Sequence, residues 1–160
     1  KSFAFGNRGS VEAGLLAHYF LKQAGINPRR DLSLCTFREE REASSLSDQR
    51  DVVQRVRSGE YDAGAVSHRT LETLAEEGTL PQGSLRTFWS SPGYSHCCFT
   101  AQSDMDESLS QRFTQALISL NYSDPLGKEV LDGEGCKAFV PGISRGWEVL
   151  EAVAEEEGLI

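Results

Sequence analysis

Residues 2–28, SFAFGNRGSVEAGLLAHYFLKQAGINP, constrain the fold more than any other stretch of this chain. Residues 2–5 read as a short buried strand, residues 6–9 as a tight polar turn, and helical periodicity begins near Ser10. Leu15, Leu16, Tyr19, Phe20 and Ala24 fall on one apolar face at the helical period. Gly25 stands where a left-handed C-terminal cap belongs, and Pro28 lies beyond it. Ser10 takes the N-cap position, so its hydroxyl and the first-turn amides point the same way. Those N–H groups and the helix dipole favour negative charge, which makes the turn a candidate anion site. A strand–turn–helix with an ordinary structural role carries the same signature, because glycine-containing βα turns are common.

The next segments repeat the pattern. Residues 32–37 (LSLCTF) form a second short strand, with Cys35 as a packed thiol inside it. Residues 38–47 are polar, charged and aperiodic, and read as a surface loop. Ser47 or Asp48 caps a helix over 49–58 whose Val52, Val53 and Val56 make a narrow apolar stripe, ended by Gly59. Residues 61–67 (YDAGAVS) form a third buried strand, with Gly64 admitting a close backbone. Ser67 or Thr70 opens a helix to about Glu77. The order βαβαβα predicts a parallel sheet with right-handed crossovers.

The second half has a different character. Residues 85–90 (LRTFWS) and 96–101 (HCCFTA) read as strands separated by the Ser91-Pro92-Gly93-Tyr94 turn. A helix starting near Ser103, with Asp106 completing a weak capping box, carries Leu109, Phe113, Ala116, Leu117 and Leu120 on its face. Pro125 opens a short helix, residues 139–141 return extended, and Ser144 caps a final helix with Trp147, Leu150 and Val153.

Composition bounds the function. A chain of 160 residues, 39% hydrophobic, can build a real core. A net charge of −8 argues against nucleic acid or an acidic membrane surface as a partner. No apolar run is long enough to span a bilayer, and no signal peptide is visible. The chain opens at Lys1 directly on a strand, as a mature product or a piece of a longer protein would. Its four cysteines give neither a disulfide framework nor a zinc spacing, so no metal and no cofactor is expected.

Taken together and in order, FGNRGSVEAGLLAHYFLKQAGINP, RVRSGEYDAGAVSHRTLETL, LRTFWSSPGYSHCCFTA and LISLNYSDPLGKEVLDGEGCKAFVP resemble one family. It is the PhnD-like family of phosphate-, phosphite- and phosphonate-binding proteins of ABC transporters. The resemblance covers nearly the whole chain. It implies an α/β, type II periplasmic-binding-protein-like fold: a mostly parallel sheet flanked by helices, with an incomplete second lobe. On this reading residues 1–85 are lobe two, the ligand-binding lobe. Residues 86–160 are the returning segment that completes part of lobe one; the family's opening segment has no counterpart in this sequence, which leaves truncation, supply by a second chain, or loss of the cleft as the alternatives. The strands after Arg86 would then present apolar surface, and formation of a homo-oligomer is one way to cover it.

The resemblance also implies site residues. The family's Ser-Thr-Ser run at the lobe-two helix aligns with Ser10-Val11-Glu12, preceded by Gly9, so one hydroxyl and all the amides survive. Glu12 is a poor neighbour for a dianion if it turns toward the site. A family histidine aligns with Gln49, and an acidic position that meets a ligand amine aligns near Arg69. A second acidic position aligns near His96 and Cys97, with Tyr94 beside it in the Ser-Pro turn. Both carboxylates are therefore replaced. An aminophosphonate is disfavoured, while Arg69 suits an anion. Gly9, Ser10, Val11, Glu12, Gln49, Arg69, Tyr94, His96 and Cys97 form the candidate ligand set. The sequence offers no nucleophile–base or paired-carboxylate constellation, so no catalytic residue is assigned and an enzyme is not expected.

Two readings follow. One is an extracytoplasmic solute-binding protein for a small oxyanion, serving an ABC-transporter permease or a sensor. The other is a non-binding interaction domain derived from that fold.

Overall fold

The computed structural model describes residues 1–96 and 98–160; the expectations for Cys97 lie outside the described residues. Contacts divide the chain into two compact units, Lys1–Pro92 with Val149–Ile160, and Gly93–Glu148.

The first unit is built on β1 (Ser2–Ala4), flanked by β2 (Leu34–Thr36) and β3 (Ala63–Gly64). Both pairings are parallel and the order is β2-β1-β3, as the βαβαβα reading requires. Single bonds extend the ladder, from Phe5 N–H to the Thr36 carbonyl at 2.9 Å and from Ala65 N–H to the Ala4 carbonyl at 3.1 Å. A central parallel strand must be apolar on both faces, and Phe3, Ala4 and Phe5 are all buried.

Strand alternation sorts these residues onto two cores. Phe3 and Phe5 pack with Phe37 beneath Ala17 and Leu21, which belong to α1 (Leu16–Gln23). The Phe5 and Phe37 rings stack at 4.8 Å. Ala4 faces the other way, onto Tyr61 and onto Val52 and Val56 of α3 (Asp48–Arg57). Gly64 is small by necessity, because a Cβ there would lie 2.5 Å from Val52 Cγ1.

The connections obey local capping rules. Gly25 takes φ 79° after α1, the left-handed conformation that glycine adopts without strain. Asn27 then caps α2 (Pro28–Asp31). The loop before α3 is not loose: a turn at Arg38–Glu40 leads into a buried ionic cluster. Asp51 of α3 is 2% exposed, with Arg55 Nε at 3.0 Å, Arg41 Nη2 at 3.2 Å and Arg38 Nη1 at 3.6 Å. Arg41 also donates to the Thr36 carbonyl at 3.0 Å, tying the loop to the end of β2. After β3, Ser67 caps α4 (His68–Glu76) by accepting from Thr70 N–H at 3.2 Å. At the opposite edge of the sheet, Asp62 clips β1 to β3, accepting from Lys1 Nζ at 2.8 Å and Ser2 N–H at 2.7 Å. Those bonds hold its carboxyl far below the usual range.

The second unit contains α5 (Glu107–Ile118) and α6 (Pro125–Gly133). The last helix, α7 (Trp147–Glu156), begins in this unit, and its residues from Val149 belong to the first. Asp106, not Ser103, caps α5, accepting from Leu109 N–H at 2.9 Å. The carboxylate is the stronger acceptor and sits three residues before that amide. Leu131 is fully buried, and Trp147 Nε1 donates to the Ser95 carbonyl at 2.8 Å. Leu109 and Phe113 are about half exposed, and Phe99 packs edge-on against both Phe113 and Phe139.

The expected strands at 85–90 and 96–101 are not present among the described residues. A strand exists only where a neighbour completes its ladder. Here, among the described residues, the backbone bond from Ser95 N–H to the Arg145 carbonyl at 2.7 Å has no neighbour to extend it into a ladder along the return segment. Phe88 and Trp89 are correspondingly exposed.

Candidate oxyanion site

The three βα connections of the first unit end on serine caps: Ser10, Ser47 and Ser67. All three lie off the carboxyl ends of parallel strands, the edge where open α/β sheets bind ligands.

The turn after β1 is rigid. Gly6 N–H bonds the Ala13 carbonyl at 2.8 Å, Ser10 N–H bonds the Asn7 carbonyl at 3.0 Å, and Arg38 N–H bonds the Gly6 carbonyl at 3.0 Å. The helix opens with a wide turn over Val11–Leu15, in which Leu15 N–H reaches back to the Ser10 carbonyl at 2.8 Å. This width brings Gly14 under the turn, where a Cβ would sit 2.2 Å from the Asn7 carbonyl oxygen. Ser10 Oγ accepts from Ala13 N–H at 3.3 Å. A hydroxyl that accepts one bond still has its own proton to donate.

Carboxylates claim part of the turn. Asp48 Oδ1 takes Asn7 N–H at 2.7 Å, and Glu39 Oε1 takes Arg8 N–H at 2.9 Å. The Arg8 guanidinium lies 4.2 Å from the Phe37 ring centroid and pairs with Glu40. Burial pushes the Asp48 carboxyl up, against the Asn7 N–H bond, which lowers it. Glu40 is held low, chiefly by its bond from Phe37 N–H. Among the described residues no protein acceptor takes Gly9 N–H, and Val11 N–H opens the helix where no carbonyl of the same helix can reach it. Gly9 N–H, Val11 N–H and Ser10 Oγ are the donors this turn offers to an anion.

Gln49 is fixed by bonds within the protein. Its Oε1 accepts from Ser67 N–H at 2.6 Å and from Thr70 Oγ1 at 2.8 Å, so it staples the start of α3 to the start of α4. Asp48 and Gln49 together place the first turn of α3 between the Ser10 turn and the Ser67 turn. Beside it lies an open pocket of about 150 Å³ lined by Ser47, Arg50, Arg69, Thr70 and Thr73.

The structure thus brings Gln49 and Arg69 into one neighbourhood, around the first turns of α3 and α4. Gly9, Ser10, Val11 and Glu12 form the adjoining turn. Tyr94 and His96 belong to the second unit, where their rings meet edge-on at 5.7 Å. Residues that the sequence reading passed over are Asp48, as the clamp on Asn7, and Arg50, as a pocket wall. The available signal was position: Arg50 lies three residues after a serine cap and Arg69 two after the next. Among the described residues no cluster of histidine, cysteine and carboxylate side chains could hold a metal ion. No helix of the described residues is long and apolar enough to cross a membrane.

Comparison with known proteins gives this geometry a family. A curated relative, the probable ABC transporter phosphite-binding protein PhnD1 of Prochlorococcus marinus strain MIT 9301, is 26% identical over 158 residues, spanning 96% of this chain. The chain spans about half of that relative's length, 51%. The structure of PhnD1 from the same organism in complex with methylphosphonate superposes with a TM-score of 0.68 at 23% identity, over 99% of this chain and 57% of the other. That likeness establishes the type II periplasmic-binding-protein fold expected from the sequence. Residues 1–144 match the family described as the ABC transporter, phosphonate, periplasmic substrate-binding protein. The chain belongs to the phosphonate substrate-binding protein family of ABC transporters.

Proposed function

We propose that this chain binds a small phosphorus oxyanion (phosphate, phosphite or a phosphonate) at the Ser10 turn. It does so as the solute-binding part of an ABC transporter, outside the cytoplasm, delivering its ligand to a permease. Residues 1–85 serve as the ligand-binding lobe, and residues 86–160 as part of the second lobe. The observation that carries this reading is the donor set of Gly9 N–H, Val11 N–H and Ser10 Oγ on a turn whose Gly6, Asn7, Arg8, Ser10 and Ala13 amides are already bonded. A dianion needs donors and no acceptors, and a helix N-terminus supplies them with a favourable dipole. No carboxylate stands at position 69 to meet a ligand amine, so simple oxyanions are preferred over aminophosphonates.

A thermal-shift series with phosphate, phosphite, methylphosphonate and sulfate, against chloride at matched ionic strength, tests it. A ligand at 100 times its Kd stabilises the folded state by about 2.7 kcal/mol. Ser10→Ala removes a charge-assisted bond and should weaken binding about tenfold or more, while Ser10→Thr keeps the hydroxyl and the affinity. Absence of a shift with every oxyanion at millimolar concentration overturns the reading.

The exposed apolar groups of the second unit, Phe99, Leu109, Phe113 and Val140, favour a second property: self-association. Sedimentation of the chain as a monomer at high micromolar concentration contradicts it.

A further inference from the structure

The amides that lead into the Ser10 turn are held by the chain's own carboxylates. Asp48 Oδ1 accepts from Asn7 N–H at 2.7 Å, and Glu39 Oε1 accepts from Arg8 N–H at 2.9 Å. The next amide, Gly9 N–H, has no protein acceptor among the described residues. The border between amides taken and amides offered thus falls between adjacent residues, whose Cα atoms stand about 3.8 Å apart. A carboxylate and a phosphorus dianion present the same chemistry to an amide: charged oxygens that only accept. The two carboxylates differ in how firmly they are placed. Asp48 opens α3 and is half-buried, and a Cβ on Gly6 would lie 2.5 Å from its Oδ2. Glu39 is exposed, in the middle of the turn Arg38–Glu40. Its neighbours fix that turn without it: Glu40 Oε2 accepts from Phe37 N–H at 2.8 Å, and Arg38 Nη2 donates to the Ser44 carbonyl at 3.0 Å. The Arg8 guanidinium pairs with Glu40. Asp48 and Glu39 are close enough to repel, which adds to the burial that raises the Asp48 carboxyl, while Arg41 and Arg38 act in the opposite sense. Glu39 is therefore free to swing into solvent at the loss of one bond, with the backbone in place.

We infer that Glu39 is an internal competitor at the Ser10 turn: a bound phosphorus oxyanion displaces its carboxylate and takes Arg8 N–H as a further donor. The inference rests on the Ser10 reading and adds to it one regulating side chain and one amide. Displacement costs the charge-assisted bond from Arg8 N–H, and a Glu39 left in place costs like-charge repulsion. On either route Glu39 lowers the affinity of the turn for an anion.

Site-resolved titration of the isotope-labelled chain with inorganic phosphate, followed in amide spectra at matched ionic strength, tests the inference. In the wild type the Arg8 amide should move with the same Kd as those of Gly9 and Val11. Glu39→Ala should tighten phosphate binding about tenfold, and Glu39→Gln, which keeps an acceptor without the charge, should fall between. Glu42→Ala removes the same charge from the same loop and should leave the affinity near that of the wild type, because a more distant exposed charge is screened. Glu39 and Glu42 are both exposed, so the variants are expected to fold, and unchanged spectral dispersion verifies this. Saturable binding at residues 9–13 that Glu39→Ala leaves unchanged or weakens, or that Glu42→Ala tightens equally, overturns the role of Glu39 and leaves the Ser10 reading intact. An Arg8 amide that does not follow the titration overturns the added donor. No saturable shift at residues 9–13 in any variant overturns the Ser10 reading and this inference with it.

Discussion

Adding one methyl group at Gly14 should damage the candidate site more than its size suggests. The new Cβ would lie 2.2 Å from the Asn7 carbonyl oxygen, 3.3 Å from the Asn7 carbonyl carbon and 3.4 Å from the Arg8 carbonyl oxygen. The first contact is roughly 1 Å inside ordinary van der Waals separation, and its partner is backbone. The turn has no easy retreat. Gly6 and Asn7 are tied to the Ala13 carbonyl and to Asp48 at 2.8 and 2.7 Å. Overpacking of this kind costs up to about 3 kcal/mol, and alanine returns about 1 kcal/mol in helix propensity. The net loss is about 2 kcal/mol, or a fall in Tm of roughly 4–8 °C for a chain of this length. Gly133 supplies the control: it ends α6 with nothing within 4 Å of an added Cβ, so Gly133→Ala should leave Tm unchanged or slightly higher. Differential scanning calorimetry of both variants, with phosphate titrations on each, reads the result. Gly14→Ala melting with or above the wild type would refute the reasoning, because the wide turn would then be free to relax.

Three other perturbations follow from the same geometry. Asp51→Ala leaves Arg41, whose side chain is 2% exposed, without its counter-charge; urea unfolding should show a loss of about 3–5 kcal/mol, and a loss under about 1 kcal/mol would show that the cluster is not needed. Asp48 is raised above the ordinary 3.8 by burial, so the native state holds its proton more tightly than the unfolded chain. Its favourable contribution is present below that value and is lost as pH rises through the folded one. Asp48→Asn keeps an acceptor for Asn7 N–H and should remove this dependence from a Tm–pH series; an unaltered series contradicts the assignment. His18 lies edge-on to Phe5 at 5.8 Å and is lowered from 6.5, by burial first, against the Glu157 carboxylate at 3.4 Å. The unfolded state therefore binds its proton first as pH falls, so stability should rise with pH up to about 6.5, and His18→Gln should flatten that window.

The legible part of this fold was local. Residues 2–28 announced strand, turn and helix through short-range periodicity, a serine cap and a glycine at the left-handed position, and the same devices marked Ser47, Gly59 and Ser67. The parallel order β2-β1-β3 followed because each strand was separated from the next by a helix. The strand-like residues 85–101 went astray because their apolar composition says nothing about whether a ladder partner stands beside them. Pairings across distance were equally silent. Nothing periodic links Arg41 to Asp51, Asp48 to Asn7 or Gln49 to Ser67. Arg50 and Arg69 line one pocket because α3 and α4 start near each other. The donors proposed at the Ser10 turn come from consecutive residues, which is why a local sequence pattern can announce them.

A crystal structure of this chain soaked with methylphosphonate is the most direct test of the oxyanion reading. The account predicts phosphonate oxygens within hydrogen-bonding distance of Ser10 Oγ and of the Gly9 and Val11 amides. A Ser10 turn without ligand at a saturating concentration, or phosphonate held only elsewhere on the chain, would contradict it.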